Sequence, residues 1–377
     1  RALEKMKKTF LAIITVMAIL FTMTACGGTT TPSASDAPAQ PAAPQAQDAG
    51  SEPVSEPVGG AFTIGFSFPT SNNEFWQNAV NYFKMASSDL GFTPLSDDCN
   101  GDTAEQLSDV ETMISSGINA LVLAPQDSSV VPGILNACNE KSIPVVIIDR
   151  LPDEDIVAGE DYIAFIGPND EEAGYQEAIA LINAGVKNLV AVGGIQGTSV
   201  AMGRNDGLMR ALEEHPEVTL LQSDYAGENW DDGDKSFRNM YSAHPELDGV
   251  WCYNDSLALS TVNVLTESGA IDSVKVGGMD CLSDAVASME ANQLYFSCGG
   301  HYMMPAMASV ILYDTLNGIT YDGVANAQLN LLNVTTENVA KFREKYLDNP
   351  EPIDWSQYSK VYNPDVSYSF ETMLSMD

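Results

Sequence analysis

Basic residues are scarce in this chain: 17 Lys and Arg stand against 52 Asp and Glu, a formal net charge of −35. A surface this acidic repels phosphate backbones and anionic lipid, which argues against a nucleic-acid partner. The net charge does not constrain a small ligand, because the field inside a cleft comes from a few residues. Histidine is scarcer still, with three. No Cys or His pair has the spacing of a zinc or redox motif, so neither metal nor cofactor is expected. The Walker loop, the GxSxG elbow and HExxH are missing, and nothing in the sequence points to an enzyme. The Gly-rich stretch Val192-Gly193-Gly194-Ile195-Gln196-Gly197 lacks the dinucleotide-binding spacing. Beyond residue 25 no apolar run approaches the roughly 20 residues of a membrane span.

The N-terminus is different. Lys5, Lys7 and Lys8 precede a charge-free run from Phe10 to Ala25. A basic flank, a short apolar core and small residues at its end describe a secretory signal over residues 1–25, a short anchoring helix being the alternative. The run closes on Met23-Thr24-Ala25-Cys26-Gly27, which resembles the lipobox of bacterial lipoproteins, with Cys26 as the acylated residue. Residues 26–60 then hold mostly Thr, Ser, Ala, Pro, Gln, Glu and Gly. Such a composition buries too little to offset its ordering entropy, and a disordered tether is expected. Its r.m.s. reach would be roughly 30–35 Å, more where Pro stiffens it. The other cysteines, Cys99, Cys138, Cys252, Cys281 and Cys298, are odd in number. They read as buried free thiols, with one or two disulfides as the alternative.

From Ala61 onward, strand-like and helix-like segments alternate. Apolar runs such as Ala120–Ala124, Pro144–Ile148 and Leu189–Val192 are hydrophobic on both faces, as strands covered by helices are. Between them, Trp76, Ala79, Val80, Phe83, Ala86 and Leu90 recur at helical spacing. The class is α/β, with parallel sheets, and 377 residues suit two lobes. There is also an internal echo. Leu121-Val122-Leu123-Ala124 with Asp127-Ser128 leads to Val146-Ile147-Ile148-Asp149; Gly249-Val250-Trp251-Cys252 with Asp255-Ser256 leads to Val276-Gly277-Gly278-Met279-Asp280.

Ligands of open parallel sheets collect beyond the carboxyl ends of the strands. The first half delivers Asn72, Asn73, Phe75 and Trp76 there, then Asp149 and Arg150; the second delivers Arg204, Trp230, Asn254 with Asp255, and Asp280. Planar aromatics beside carboxylates, guanidiniums and amides suit a polyhydroxylated ring. Aromatic faces cover its C–H surface, and the charged groups bind its hydroxyl rim. Each has a purely structural alternative: Phe75 and Trp230 as core, Asp149 and Asp280 as helix caps, Arg204 in a surface ion pair.

In this order and spacing, Asn72-Asn73-Glu74-Phe75-Trp76, Val146-Ile147-Ile148-Asp149-Arg150, Gly197-Thr198-Ser199 with Arg204, Asn254-Asp255 and Gly278-Met279-Asp280 resemble the type I periplasmic binding proteins. The likeness is to their ribose- and galactose-binding branch, over about Ala61–Asn333. The resemblance implies two Rossmann-like lobes with parallel sheets joined by a hinge. Residues 61–166 with about 301–333 would form the N-terminal lobe, and 167–300 with about 334–377 the C-terminal lobe and tail. It implies capture of a neutral sugar or related polyol and delivery to an ABC permease, by a monomer held at the membrane through its lipid alone. A surface receptor feeding a sensor kinase or chemoreceptor, or a binder of a non-sugar small molecule, is the alternative. By residue, Asn73 would reach the sugar from the first loop. Phe75 and Trp76 would line one wall, with Trp230 stacking from the other lobe. Asp149, Arg150, Arg204, Asn254 and Asp280 would bind hydroxyls. Where that branch places an amide after the late strand, this chain has Gly299-Gly300-His301, and His301 would take its place.

Overall fold

The computed structural model describes residues 62–348 and 353–376; the expected signal and tether, with Cys26, lie outside the described residues. Short runs of β-branched and aliphatic residues build the centre of each lobe. β1 (Thr63–Phe68), β2 (Thr93–Asp98), β3 (Ala120–Leu123), β4 (Val145–Ile148) and β5 (Ala164–Pro168) form the first sheet. β6 (Asn188–Gly193), β7 (Thr219–Tyr225), β8 (Gly249–Cys252), β9 (Lys275–Asp280) and β10 (Phe296–Gly299) form the second. Two late strands complete them, β11 (Asn326–Leu329) beside β5 and β12 (Leu332–Thr335) beside β10. The orders are β2-β1-β3-β4-β5-β11 and β7-β6-β8-β9-β10-β12, one pattern used twice. Among the described residues only β12 runs antiparallel to its neighbour. β3 and β4, buried at every residue, are strands that need helices on both faces. The internal echo is this duplication: β3 and β8 occupy the third place of their sheets, β4 and β9 the fourth.

The helices α1 (Glu74–Leu90), α2 (Thr103–Ser115) and α3 (Val131–Asn139) cover the first sheet. The second is covered by α4 (Asp170–Asn183), α5 (Ser199–Glu214), α6 (Trp230–Ala243), α7 (Asp255–Ser268) and α8 (Ser283–Glu290). α9 (Met304–Leu316) returns to the first lobe, and α10 (Val339–Arg343) lies against α8. α1 shows why the sequence does this. The Asn73 side chain accepts from the Trp76 N–H and starts the helix, while Gly91, at φ 80°, ends it. Trp76, Ala79, Phe83, Ala86 and Leu90 form its buried stripe. Burying Phe83 completely contributes about 1.5–3 kcal/mol.

The chain passes between the lobes after β5, after β10 and between β11 and β12. Within the span 334–377, expected as C-terminal lobe and tail, residues 339–343 pack on α8 of the second lobe, whereas residues 355–368 dock on the first. Ser359 Oγ, Lys360 N (2.7 Å) and Tyr368 Oη (2.5 Å) all donate to the buried carboxylate of Asp314 on α9. Trp355 N donates to Asp89 on α1 at 3.0 Å. Tail aromatics and one buried acid thus fasten the segment to the first lobe. The five cysteines from Cys99 to Cys298 are buried free thiols.

Candidate functional site

An aspartate in the positive-φ region stands at the end of both fourth strands, Asp149 just after β4 at 66° and Asp280 as the last residue of β9 at 119°. A non-glycine residue there is strained, and such strain gathers where a side chain must be aimed. The two carboxylates come from equivalent points of the two lobes and line one cavity. Asn73, Phe75, Trp76, Arg150, Arg204, Asn254 and His301 line it with them, together with Val200, Glu228 and Tyr253. Nine of the ten residues singled out from the sequence therefore converge.

The arginines are held firmly. Arg150 donates from Nη1 to the Gln126 carbonyl (2.8 Å) and from Nη2 to Glu228 (3.0 Å). Its Nε lies 3.7 Å from Asp149 and has no hydrogen-bond partner. Arg204 is 3 % exposed, so it is not in a surface ion pair. Its Nε meets Asp170 at 2.9 Å, its Nη1 meets the Tyr253 carbonyl at 2.7 Å, and its guanidinium lies 4.7 Å from the Tyr253 ring centre. Close packing of α4 on α5 sets that position. At Gly174 of α4 a Cβ would lie 2.7 and 2.8 Å from the carbonyl carbon and Cα of Arg204.

The aromatic wall is Phe75, edge-on to Trp76 at 5.1 Å between centroids and 4.8 Å from His301. His301 is 1 % exposed and neither ring nitrogen has a partner; Asp280 Oδ1 is 3.8 Å from Nε2. Burial first, then the Arg204 charge, pushes the imidazole well below its usual pKa, so it is neutral. Burial raises Asp149 and raises Asp280 strongly, with Arg204 opposing in both. For Asp170, burial against the pull of Arg204 pushes the carboxyl up to about 7. Two amides double as helix caps: Asn73 Oδ1 accepts from Trp76 N, and Asn254 Oδ1 accepts from Leu257 N while its Nδ2 donates to the Glu228 carbonyl.

Trp230 is the exception. It is 44 % exposed and lines a wider hollow of about 610 Å³ at the rim, with Asn72, Glu74, Asp231 and Asp284. Asn229 caps α6, so Trp230 is its first residue and turns outward, while Glu228 fills the place by the cavity. The sequence carried that signal: Asn229 before Trp-Asp-Asp is a helix start. Asp170 and Tyr253, which orient Arg204, were also missed; both sit next to an N-cap asparagine, Asn169 and Asn254. Glu228 alters the charge count. Two Arg and two Asp balance, but the cavity holds a third carboxylate.

Three contacts join the lobes over this site: Arg150 to Glu228, Leu151 N to Ser199 Oγ at 2.9 Å, and Glu74 to the Ser283 hydroxyl and N–H (3.0 Å to the latter). The cavity they enclose measures about 30 Å³, room for about one water. A sugar-sized molecule is larger than this cavity. Among the described residues no helix is long and apolar enough to cross a membrane.

The comparisons with known proteins agree with this geometry. The periplasmic binding protein domain matches residues 64–320. The ribose import binding protein RbsB of Bacillus subtilis is 29 % identical over 275 residues, 72 % of this chain and 87 % of that one. A xylitol-binding protein of Mycolicibacterium smegmatis is 26 % identical over 260 residues, 66 % and 72 % of the two chains. Among solved structures, an ABC transporter solute binding protein from Bacillus halodurans with bound myo-inositol superposes with a TM-score of 0.69. It is 25 % identical, and the match covers 76 % of this chain and 99 % of that one. With two six-stranded lobes of one strand order meeting at a polar cavity, the chain belongs to the type I periplasmic binding proteins.

Proposed function

We propose that this protein captures a sugar or related polyol between its two lobes and hands it to an ABC permease. One observation carries the reading: an aromatic wall faces hydrogen-bonding groups from both lobes, and three buried polar atoms there, Arg150 Nε and both His301 nitrogens, have no protein partner. A ring rich in hydroxyls supplies donors and acceptors to such atoms at once. Asn73, Phe75, Trp76, Asp149, Arg150, Arg204, Asn254, Asp280 and His301 are the proposed contacts, with Glu228 added and Trp230 moved to the rim. Relatives that bind ribose and xylitol support the same class. The proposed working unit is a monomer. A thermal-melting screen of pentoses, hexoses and cyclitols beside amino acids, nucleosides and anions tests the class. Stabilisation by at least one polyol is expected; response only to the other classes refutes it.

The N-terminal pattern supports export and acylation of Cys26, which would leave the folded part tethered outside the cytoplasmic membrane. Detergent-phase partition of the wild type, lost in Cys26→Ala, is the expected result. Wild-type protein found wholly in the aqueous phase would contradict it.

A further inference from the structure

The cavity is not electrically balanced. Arg150 is engaged by Glu228 at 3.0 Å and Arg204 by Asp170 at 2.9 Å. Asp149 and Asp280 then remain, both buried, and among the described residues neither carboxylate accepts a hydrogen bond. The nearest cation to Asp149 is the Arg150 Nε at 3.7 Å; within 4 Å Asp280 has only the neutral imidazole of His301, at 3.8 Å, and the Arg204 guanidinium, already paired with Asp170, acts on it from farther off. Asp149, Glu228 and Asp280 lie close enough to repel one another. Buried carboxylates without counter-charge are costly, which is why burial drives Asp149 and Asp280 toward their protonated forms, and a ligand that brings a positive charge removes that cost by restoring the carboxylate. His301, which meets Asp280 at the cavity wall, offers an acceptor nitrogen to the same group. A metal ion is the poorer occupant, because among the described residues no three His, Cys, Asp or Glu side chains are placed to hold one. A protonated amine has donors alone, three N–H groups that suit carboxylate and imidazole acceptors.

We propose that the cavity selects an amino-substituted polyol, a sugar or cyclitol in which one hydroxyl is replaced by an ammonium group, over its neutral counterpart. The inference rests on the polyol reading and narrows it. Asp280, with His301 behind it, receives the ammonium group; Glu228 supplies the surplus charge that makes the preference, and the Phe75 wall covers the ring. The substitution exchanges hydroxyl for ammonium at one carbon, so the remaining hydroxyls keep the arginine and amide partners that a neutral ring would use.

Matched pairs test it at pH 7: D-glucose with D-glucosamine, D-galactose with D-galactosamine, D-ribose with 3-amino-3-deoxy-D-ribose, and myo-inositol with monoamino-inositols, each titrated calorimetrically into the wild-type protein. In at least one pair the amine should bind roughly 10- to 100-fold tighter, the range of one charge-assisted hydrogen bond. Glu228→Gln, which keeps shape and removes one charge, should narrow that gap, and circular dichroism of the variant checks that it folds. Neutral members that bind as tightly as their amines, or tighter, overturn the proposal and leave the polyol reading standing. Silence from every neutral and every amine overturns both. A gap unchanged in folded Glu228→Gln overturns the role of the third carboxylate and with it the charge argument.

Discussion

Adding one methyl group far from the ligand should damage binding if Arg204 owes its position to helix packing. Gly174 lies on α4, and a Cβ there would overlap the Arg204 carbonyl oxygen and sit 2.7 Å from its carbon, against 3.4–4 Å for ordinary contact. The atoms in the way are backbone, which no rotamer change relieves, so α5 must move by about 1 Å. Overpacking of this kind costs about 1–3 kcal/mol, and the gain of Ala over Gly in a helix returns at most about 1. Gly174→Ala should therefore lower the urea-unfolding free energy by up to roughly 2 kcal/mol net. A guanidinium displaced on that scale also loses the alignment to Asp170 and the Tyr253 carbonyl, and polyol affinity should fall about tenfold or more. The control is the same substitution at Gly133 in α3, where a Cβ would meet only Leu107 methyls at 3.4 and 3.5 Å. Gly133→Ala should stabilise by about 0.5–1 kcal/mol and leave binding unchanged. If Gly174→Ala matches that control in both measurements, packing does not set Arg204.

Three further outcomes follow from the same geometry. Burial raises Asp170 and Asp255 to about 7, above the usual carboxylate value, so the folded state holds protons that the unfolded chain releases. Stability from this source is complete below about pH 4 and is lost as the pH rises through 7, so the melting temperature should fall between pH 5 and 8. A flat or rising profile contradicts it, and the isosteric Asp255→Asn should flatten the slope. Asp314→Ala deprives Ser359, Lys360 N and Tyr368 of their common acceptor and should cost about 3 kcal/mol or more in urea unfolding; a loss under about 1 kcal/mol would show that the tail is not fastened there. Trp230→Ala should change ligand affinity by less than about threefold, whereas Phe75→Ala should cost about tenfold or more; the reverse order would return Trp230 to the cleft.

Most of the architecture was legible because the strands that carry it are buried on both faces. β3, β4, β6 and β8 announce themselves as aliphatic runs, and the duplicated Asp149 and Asp280 could be read from the echo. The strands that sequence reading passed over are β2, β11 and β12. Their residues, Thr-Pro-Leu-Ser-Asp-Asp, Asn-Ala-Gln-Leu and Leu-Asn-Val-Thr, are polar and partly exposed, and edge position rather than hydrophobicity makes them strands. The tail escaped for a similar reason. Its docking depends on Asp314, a charged residue in an apolar helix, and no local pattern says which distant hydroxyls will reach it.

At the site, residues that follow a buried strand directly were the readable ones. Asp149, Arg150 and Asp280 sit at fixed distance from strand ends, and Asn73 and Asn254 pair an amide with a helix start. Trp230 and Glu228 are two residues apart, on either side of Asn229, and chemistry alone favours the aromatic as the sugar-facing member. The Asn229 cap decides otherwise, since it puts Trp230 on the helix and Glu228 before it. Asp170 lay beyond such reasoning, because its role arises from α4 meeting α5 through glycines.

The central claim is that a polyol binds in the cavity between the lobes. Calorimetric titration of the best ligand from the melting screen into wild-type and Asp280→Ala protein tests it most directly. At a free ligand concentration of 100 times Kd the wild type should gain about 2.7 kcal/mol of stability. Asp280→Ala, still folded by circular dichroism, should bind at least about 30-fold more weakly, the loss of one charge-assisted contact and its unpaired partner. Equal affinity in the two proteins would place the ligand elsewhere and contradict the account.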